Sequence, residues 1–409
     1  MDIRRTILEQ ASKLDSFYVY SEQGIDDQIE KLTADFQSIE FLYSIKTNTA
    51  SEVLKTIFSH GFGADAASLG EVKLAHGFGV PADKIQYSAP GKKTSDIEAA
   101  MGISTIIADS VAEIYQIQAL AAAKNSTAEI GIRINPDFTL SSGTGAPSKF
   151  GIDAQEALRF LRARPSLPHV RVIGIHVHIK SQELCAQTLE GYYANLFRLA
   201  CAFEDALGGA LQFVNMGSGM GIPCASGDTA LDTAALGRRT AQLMAEYKEK
   251  LHGVRIIIET GRFVVGQSGY YATRVMDRKT SMGRTYIILN GTLNAFMRPC
   301  LARLVAHYAP DGELGGSEPL FSGRDAFAFV ALNDEPETEL VTLAGNLCTA
   351  ADVVAEDIEL PKLKRGDLLM MTNAGCYGAV LSPMQFSSQK PPAQLFLCRD
   401  GAVINAVKP

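Results

Sequence analysis

The sequence predicts an α/β fold: a (β/α)8 barrel over residues 22–267, with a mostly antiparallel β domain built from residues 268–409 and the N-terminal residues 1–21. Three observations carry that expectation. Short apolar runs alternate with segments of helical periodicity through the first two thirds of the chain. The rhythm changes to closely spaced strands after Glu259. Lysine, acid, histidine, arginine and glycine-rich turns recur at the ends of the apolar runs.

The runs are FLYSIK (41–46), FGADAA (62–67), KIQYSA (84–89), TIIADS (105–110), EIGIRIN (129–135), VIGIHVHI (172–179), QFVNMG (212–217) and VRIIIE (254–259). Each is short enough for a strand. Between them lie ASEVLKTIFSHG, VAEIYQIQALAAAK and LEGYYANLFRLACAFEDAL, with apolar residues three and four apart, the signature of a helix with one buried face. Strand and helix in alternation imply right-handed crossovers and a parallel sheet. Eight units suit a closed barrel, with a doubly wound open sheet as the alternative. In the tail, YYATRVMDRKT (270–280), RTYIILNG (284–291), TELVTLAGN (338–346), DLLMMTNAG (367–375) and AQLFLCRDG (393–401) are separated by turns, as in an antiparallel domain, and FYVYS (17–21) is a candidate to join them. SSGTGAPS (141–148) is expected to be a loop, because Gly, Ser and Pro dominate it.

Bulk composition narrows the function classes. Hydrophobic content of 46%, charged content of 20% and a net charge of -7 describe an ordinary globular chain without the basic face that nucleic acid requires. No apolar stretch is as long as a membrane span, and the charged start MDIRRTILEQ lacks the apolar core of a secretory signal. The seven cysteines are scattered with no CxxC pair, so neither a disulfide framework nor a zinc site is expected, and no metal is assigned. Together these features lead to the expectation of a cytoplasmic enzyme acting on a small molecule.

In such barrels, chemistry gathers at the C-terminal ends of the strands. Lys46 ends the first run, Asp65 lies on the second with Glu71 six residues on, Arg133 is on the fifth, His178 and Ser181 close the sixth, GSGMG (217–221) follows the seventh, and Glu259 to Arg262 close the eighth. Taken singly, each has a plain explanation: a solvated lysine, a core histidine, a tight turn, half of a surface ion pair. GSGMG also fails the dinucleotide pattern, since Ile222 stands where its last glycine belongs. Taken together they suit a phosphorylated pyridine aldehyde. A lysine amine condenses with the aldehyde, glycine turns offer backbone N–H groups to the phosphate, an imidazole stacks on the ring, and a carboxylate keeps the ring nitrogen protonated. That set of requirements describes pyridoxal 5′-phosphate (PLP).

These motifs resemble, in order and over nearly the whole chain, the fold type III PLP-dependent decarboxylases, which include diaminopimelate and ornithine decarboxylases and share an alanine racemase-like barrel. YSIKTN resembles the family's PLP-lysine motif, which implies Lys46 as the lysine joined to the cofactor. GADAASLGE places Asp65 beside that lysine, with Glu71 in support. IRINP supplies Arg133, HVHIKSQ gives the stacking His178 and the phosphate-side Ser181, and MGSGMG gives Gly217 and Gly219. ETGR resembles the family's E-P-G-R, which implies Glu259 at the pyridine nitrogen with Gly261 and Arg262 at the rim. In the tail, LCTAAD and NAGCYG resemble the family's Cys-acid and Ala-Tyr-Gly motifs. The resemblance implies a head-to-tail homodimer in which Cys348 reaches the partner's PLP as an acid while Tyr377 serves its own chain. Taken alone, Cys348 would be expected to be a small buried hydrophobe.

Several positions depart from that pattern. Thr349 stands where diaminopimelate decarboxylases carry Glu and ornithine decarboxylases Asp, so a distal substrate ammonium would lose a charge-assisted partner that contributes about 1.5–3 kcal/mol. In RPCLA, Arg298 is kept but Ala302 replaces the Tyr that helps grip a distal carboxylate, which suggests an enlarged pocket. Lys180 replaces a glycine, Ser218 a glycine and Thr260 a proline. The expected substrate is therefore an α-amino acid whose distal part has no free amine, modified or linked to a carrier protein, held by Arg262, Arg298, Thr349 and Tyr377. Diaminopimelate decarboxylation proper is one alternative. An amino-acid racemase of the same fold is another, although racemases set an arginine where Glu259 stands. A non-catalytic PLP carrier and a PLP-free Schiff-base barrel are the remaining ones.

Overall fold

A computed structural model describes residues 2–140, 143–217, 219–308 and 326–407. Ser218 and the first two residues of the 141–148 loop lie outside the described residues.

The chain opens with helix α1 (Ile3–Gln10), strand β1 (Ser16–Ser21) and helix α2 (Glu22–Asp35). The barrel strands follow: β2 (Glu40–Ser44), β3 (Gly63–Ala66), β4 (Ile85–Tyr87), β5 (Thr105–Ala108) and β6 (Ala128–Asn135), a two-residue strand β7 (Ile152–Asp153) at its edge, then β8 (Val170–His176), β9 (Phe213–Asn215) and β10 (Arg255–Thr260). All pair in parallel, and β5 pairs with β6 to close the ring. The structure is thus the barrel, not the open sheet. Helices α3 (Ser51–Ser59), α4 (Leu69–Gly77), α5 (Thr94–Ala100), α6 (Val111–Ala123), α7 (Ala154–Arg162), α8 (Ala186–Leu207), α9 (Thr233–Glu246) and the short α10 (Arg262–Val265) make the crossovers.

Local chemistry starts these helices where they start. Ser68 and Ser110 cap α4 and α6 by accepting from the N–H of Glu71 and Glu113, three residues on; such a cap stabilises a helix by ~1 kcal/mol. Inside the barrel, Leu42, Ile107, Ile173, Phe213 and Ile257 form a buried layer of their own. Phe213 fills the centre only because Gly174 faces it, since a Cβ there would lie 2.5 Å from the ring. The barrel is therefore a filled core, and its open space lies at the strand ends.

A second, nine-stranded sheet holds β1 with β11 (Gly269–Ser281), β12 (Arg284–Leu289), β13 (Phe329–Ala331), β14 (Thr338–Gly345), β15 (Val353–Pro361), β16 (Leu368–Met371), β17 (Ala393–Leu397) and β18 (Val403–Asn405). Its pairs are antiparallel except β1 with β17 and β12 with β14. β1 lies between β11 and β17, so the first strand of the chain is built into the middle of the last sheet. Helix α11 (Met297–Tyr308) packs against β15. No helix among the described residues is long and apolar enough to cross a membrane.

The two sheets meet where the 373–378 loop of the second presses on the barrel mouth. Ala374 N donates to Gly269 O (2.9 Å), Gly375 N to Gly266 O (3.1 Å), Tyr377 N to Thr47 O (2.8 Å) and Asn48 Nδ2 to Gly375 O (2.9 Å). Gly375 is required there, because a Cβ would sit 1.7 Å from Val265 O.

Candidate active site

Lys46 occupies a single 3₁₀ turn, Ile45–Thr47, directly after β2. A lysine ends this apolar strand because it leaves the strand at the barrel mouth, half-buried, with Nζ 3.1 Å from Asp65 Oδ2. The register of β2 and β3 puts Ser44 opposite Asp65. Asp65 is fully buried and accepts from Ser44 Oγ (2.9 Å) and Ser88 Oγ as well as from Lys46, so its charge is satisfied. Burial alone would lower the Lys46 ammonium; Asp65, aided by Tyr377 and Glu259, outweighs it and raises the pKa. Glu71 sits behind this pair. Its N–H donates to Ser68 Oγ and its Oε2 accepts from Ala67 N (2.7 Å), just before the N-cap of α4, and burial pushes the carboxyl up to about 7.

Across the mouth, Glu259 projects from β10 and is 3% exposed. Burial favours its neutral form, but His176, Lys46 and His178 overcome this and hold the carboxyl well below the usual range, so it is ionised. His178 has the opposite balance. Burial, reinforced by Lys46 and Arg133, overrides the pull of Glu259 and pushes the imidazole down to about 3, leaving a neutral ring face. Ser181 Oγ lies 3.4 Å from His178 Nε2. Arg133 is buried on β6, opposite His176 on β8, with its guanidinium 4.3 Å from the centre of the Phe150 ring.

The glycine turn crosses the HVHIKSQ segment at close range. Gly217 has φ +65°, and a Cβ on it would lie 2.3 Å from Val177 O; Gly219 has φ +134° and its carbonyl accepts from Glu183 N at 2.7 Å. Gly261 brings the exit of β10 against the lysine turn, where a Cβ would meet Thr47 Cγ2 at 2.5 Å. The Arg262 guanidinium stands 5.4 Å from the centre of the Tyr377 ring. Tyr377 itself adopts φ +51°, a left-handed conformation that costs a non-glycine residue about 1–3 kcal/mol and that the docked loop holds in place. Ser44, Lys46, Thr47, His178, Ser181, Met220, Glu259, Gly261, Arg262 and Tyr377 line one cleft.

The remaining expected residues lie off this cleft. Arg298 is buried beneath the rim, donating to Cys376 O (3.1 Å) with its guanidinium 5.1 Å from the centre of the Phe327 ring. Ala302 is buried in α11 and does not line the cleft, so the space expected from the missing Tyr is not open there. Lys180 is exposed, 3.8 Å from Glu183 Oε2. Cys348 is exposed and Thr349 half-buried, at the turn between β14 and β15. Asp352 pins that turn by accepting from Thr292 Oγ1, Leu293 N (3.0 Å) and Leu347 N (3.0 Å).

Four residues escaped the sequence reading. His176 and Asn215 flank Glu259, Gln86 supports Asn215, and Gln182 bridges the two loops by donating to Ile222 O (2.5 Å). His176 was legible in principle: it lies two residues before His178, and residues two apart on a strand share a face.

The cleft fits PLP on its own chemistry. An amine and an acid stand on its two sides, with a neutral imidazole between them. The glycine turn runs against the HVHIKSQ segment too closely to admit a Cβ, and its Met220 lines the cleft together with the Ser181 hydroxyl. Barrel and donor set thus define a PLP enzyme. Residues 22–266 match the family model of the pyridoxal-dependent decarboxylases, pyridoxal binding domain, and the chain belongs to this family. It is a PLP-dependent amino-acid decarboxylase. It is 32% identical over 397 residues to the L-glutamyl-[BtrI acyl-carrier protein] decarboxylase of Niallia circulans, covering 94% of this chain and 89% of that one. It is 27% identical to the 2-[(L-alanin-3-ylcarbamoyl)methyl]-2-hydroxybutanedioate decarboxylase of Staphylococcus aureus, covering 93% of each. Its fold is similar to that of diaminopimelate decarboxylase from M. jannaschii, with a TM-score of 0.85 at 24% identity over 98% of this chain and 91% of that one.

Proposed function

We propose that the enzyme removes the α-carboxylate, as CO2, from an amino acid whose distal end carries no free ammonium, a modified or carrier-protein-linked one. The observation that carries this reading is Thr349. It is the neutral residue after Cys348, where a distal ammonium would need a carboxylate. The substrates named for the two relatives above, a carrier-bound glutamyl group and a carbamoyl-extended alanine, support it.

PLP, when bound, supplies a sink for the electron pair left at Cα. The chain's own groups do the rest. Lys46 would hold the cofactor, and Asp65 keeps the Lys46 nitrogen in position. The neutral face of His178 stacks on the ring. Glu259, ionised, would hold a proton on the ring nitrogen, which lets the ring meet negative charge at Cα. Gly219, Gly261 and Ser181 would receive the phosphate, with Gly217 shaping the turn that carries them, Arg133 would support the ring side, and Arg262 and Tyr377 form the rim that orients the substrate carboxylates. Cys348 delivers a proton to Cα from the partner subunit of a homodimer, with Lys46 as the second candidate.

The test is CO2 release under steady state from free meso-diaminopimelate, lysine and ornithine beside glutamyl groups on a carrier protein and carbamoyl-extended amino acids. Turnover confined to the second group is expected. Efficient turnover of free diaminopimelate would establish the alternative reading, and inversion at Cα without CO2 would establish a racemase.

A further inference from the structure

We infer that His176 is a positioning residue for Glu259: with Asn215 it engages one carboxylate oxygen, Oε1, and so turns the other, Oε2, toward the cofactor's ring nitrogen. The inference rests on the role proposed above for Glu259.

Three neighbouring strands build the arrangement. His176 ends β8 and is in register with Asn215, which ends β9; Asn215 is in register with Ile257 of β10, two residues before Glu259. His176 Nε2 lies 3.0 Å from Glu259 Oε1. Asn215 Nδ2 donates to the same oxygen at 3.0 Å and to Gln86 Oε1 at 2.7 Å. Asn215 Oδ1 accepts from Gly217 N (2.8 Å), and Gly217 O accepts from Glu259 N (2.8 Å). One circuit therefore joins the acid to the glycine turn. His176 is 1% exposed and Asn215 0%, so no bulk water competes for that oxygen. Among the described residues both side-chain contacts of Glu259 fall on Oε1, while Glu259 lines the cleft.

Packing alone does not account for a histidine at this position. Neither ring nitrogen makes a well-directed hydrogen bond among the described residues, Nε2 meeting Glu259 Oε1 only as a close polar contact, and an unsatisfied buried polar atom costs about 1–3 kcal/mol that an apolar ring of similar size would avoid. What the imidazole adds is a nitrogen at the carboxylate. A buried carboxylate with a free choice of rotamer would meet the cofactor with either oxygen or with neither; one oxygen held from behind leaves a single orientation.

The test compares His176→Phe, which keeps a ring of similar size, with His176→Gln, whose amide reaches where Nε2 stands. Two readouts are independent of turnover: the dissociation constant of PLP from the apoenzyme and the wavelength of the bound cofactor's visible absorbance. His176→Phe is expected to weaken PLP binding about tenfold, the loss of one charge-assisted contact, and to shift the absorbance, while His176→Gln retains both. Should His176→Phe fail to fold, His176→Leu carries the same expectation. Unchanged binding and absorbance in the apolar variant would overturn the inference, as would a His176→Gln variant that loses both to the same extent. Glu259→Gln separates the two levels. If it leaves affinity and absorbance untouched, the role of Glu259 fails; if it alters them and His176→Phe does not, the positioning role alone fails.

Discussion

At the scale of single residues, the site works by setting charges against burial. Lys46 and Glu259 stay ionised in a place that disfavours ions, because Asp65 faces one and His176 the other, while His178 stays neutral between them. Asp65→Asn is therefore expected to destabilise the apoenzyme by ~1–3 kcal/mol, since an amide cannot accept from Ser44, Ser88 and Lys46 as the carboxylate does. The Lys46 pKa is raised in the folded state, so its share of stability is complete below the unfolded value and is lost as pH rises through the folded one. The deficit of Asp65→Asn should thus be constant at neutral pH and narrow only above about pH 10.4, as thermal denaturation across pH will show. Glu71 titrates closer to neutrality. Its carboxyl is pushed up to about 7, above an unfolded value of about 4.3, so its contribution is full below that lower value and disappears as pH rises through 7. Glu71→Gln keeps a capping acceptor and should remove this decline from the melting profile; an identical pH dependence in both proteins would contradict the assignment.

At the scale of elements, the barrel strands were legible because short apolar runs and helical periods alternate so regularly. The strands β13, β15 and β18 were not: β13 and β18 have three residues each, and β15 carries Glu356, Asp357 and Glu359 on an exposed stretch. Helix α11 was hidden because its sequence reads first as a motif, RPCLA. The same contrast holds in the site. Residues at strand ends stand out in sequence, since polar side chains there break an apolar run. Residues one layer down, such as His176, Asn215 and Gln86, emerge only once strand register brings them together. Arg298 and Ala302 show the converse, motif positions that packing places beneath the cleft rather than in it. The docked 373–378 loop is the element on which the rim depends. Gly375→Ala should displace it from Val265 O, costing about 1–3 kcal/mol by overpacking and lowering kcat/KM through Tyr377. Thermal melting with kinetics checks this, and a variant with normal stability and rate would show that the loop has slack.

At the scale of the whole molecule, the role proposed for Cys348 requires a thiol presented outward, and the exposed Cys348 stands on a turn that Asp352 pins. A rigid exposed thiol is what a site shared between subunits requires. Lys46→Ala and Cys348→Ala should each be inactive or nearly so alone, the second by about 10²–10⁴-fold. Mixed and allowed to exchange, they should recover about a quarter of wild-type activity, because half of the dimers then carry one intact site. Recovery of nothing would place Cys348 outside the partner's chemistry. The most direct measurement of the central claim is reduction of the PLP-loaded enzyme with borohydride, followed by peptide mass mapping. The pyridoxyl group is predicted on the peptide carrying Lys46. Its appearance on another lysine, such as the buried Lys92 or the exposed Lys180, would contradict the account.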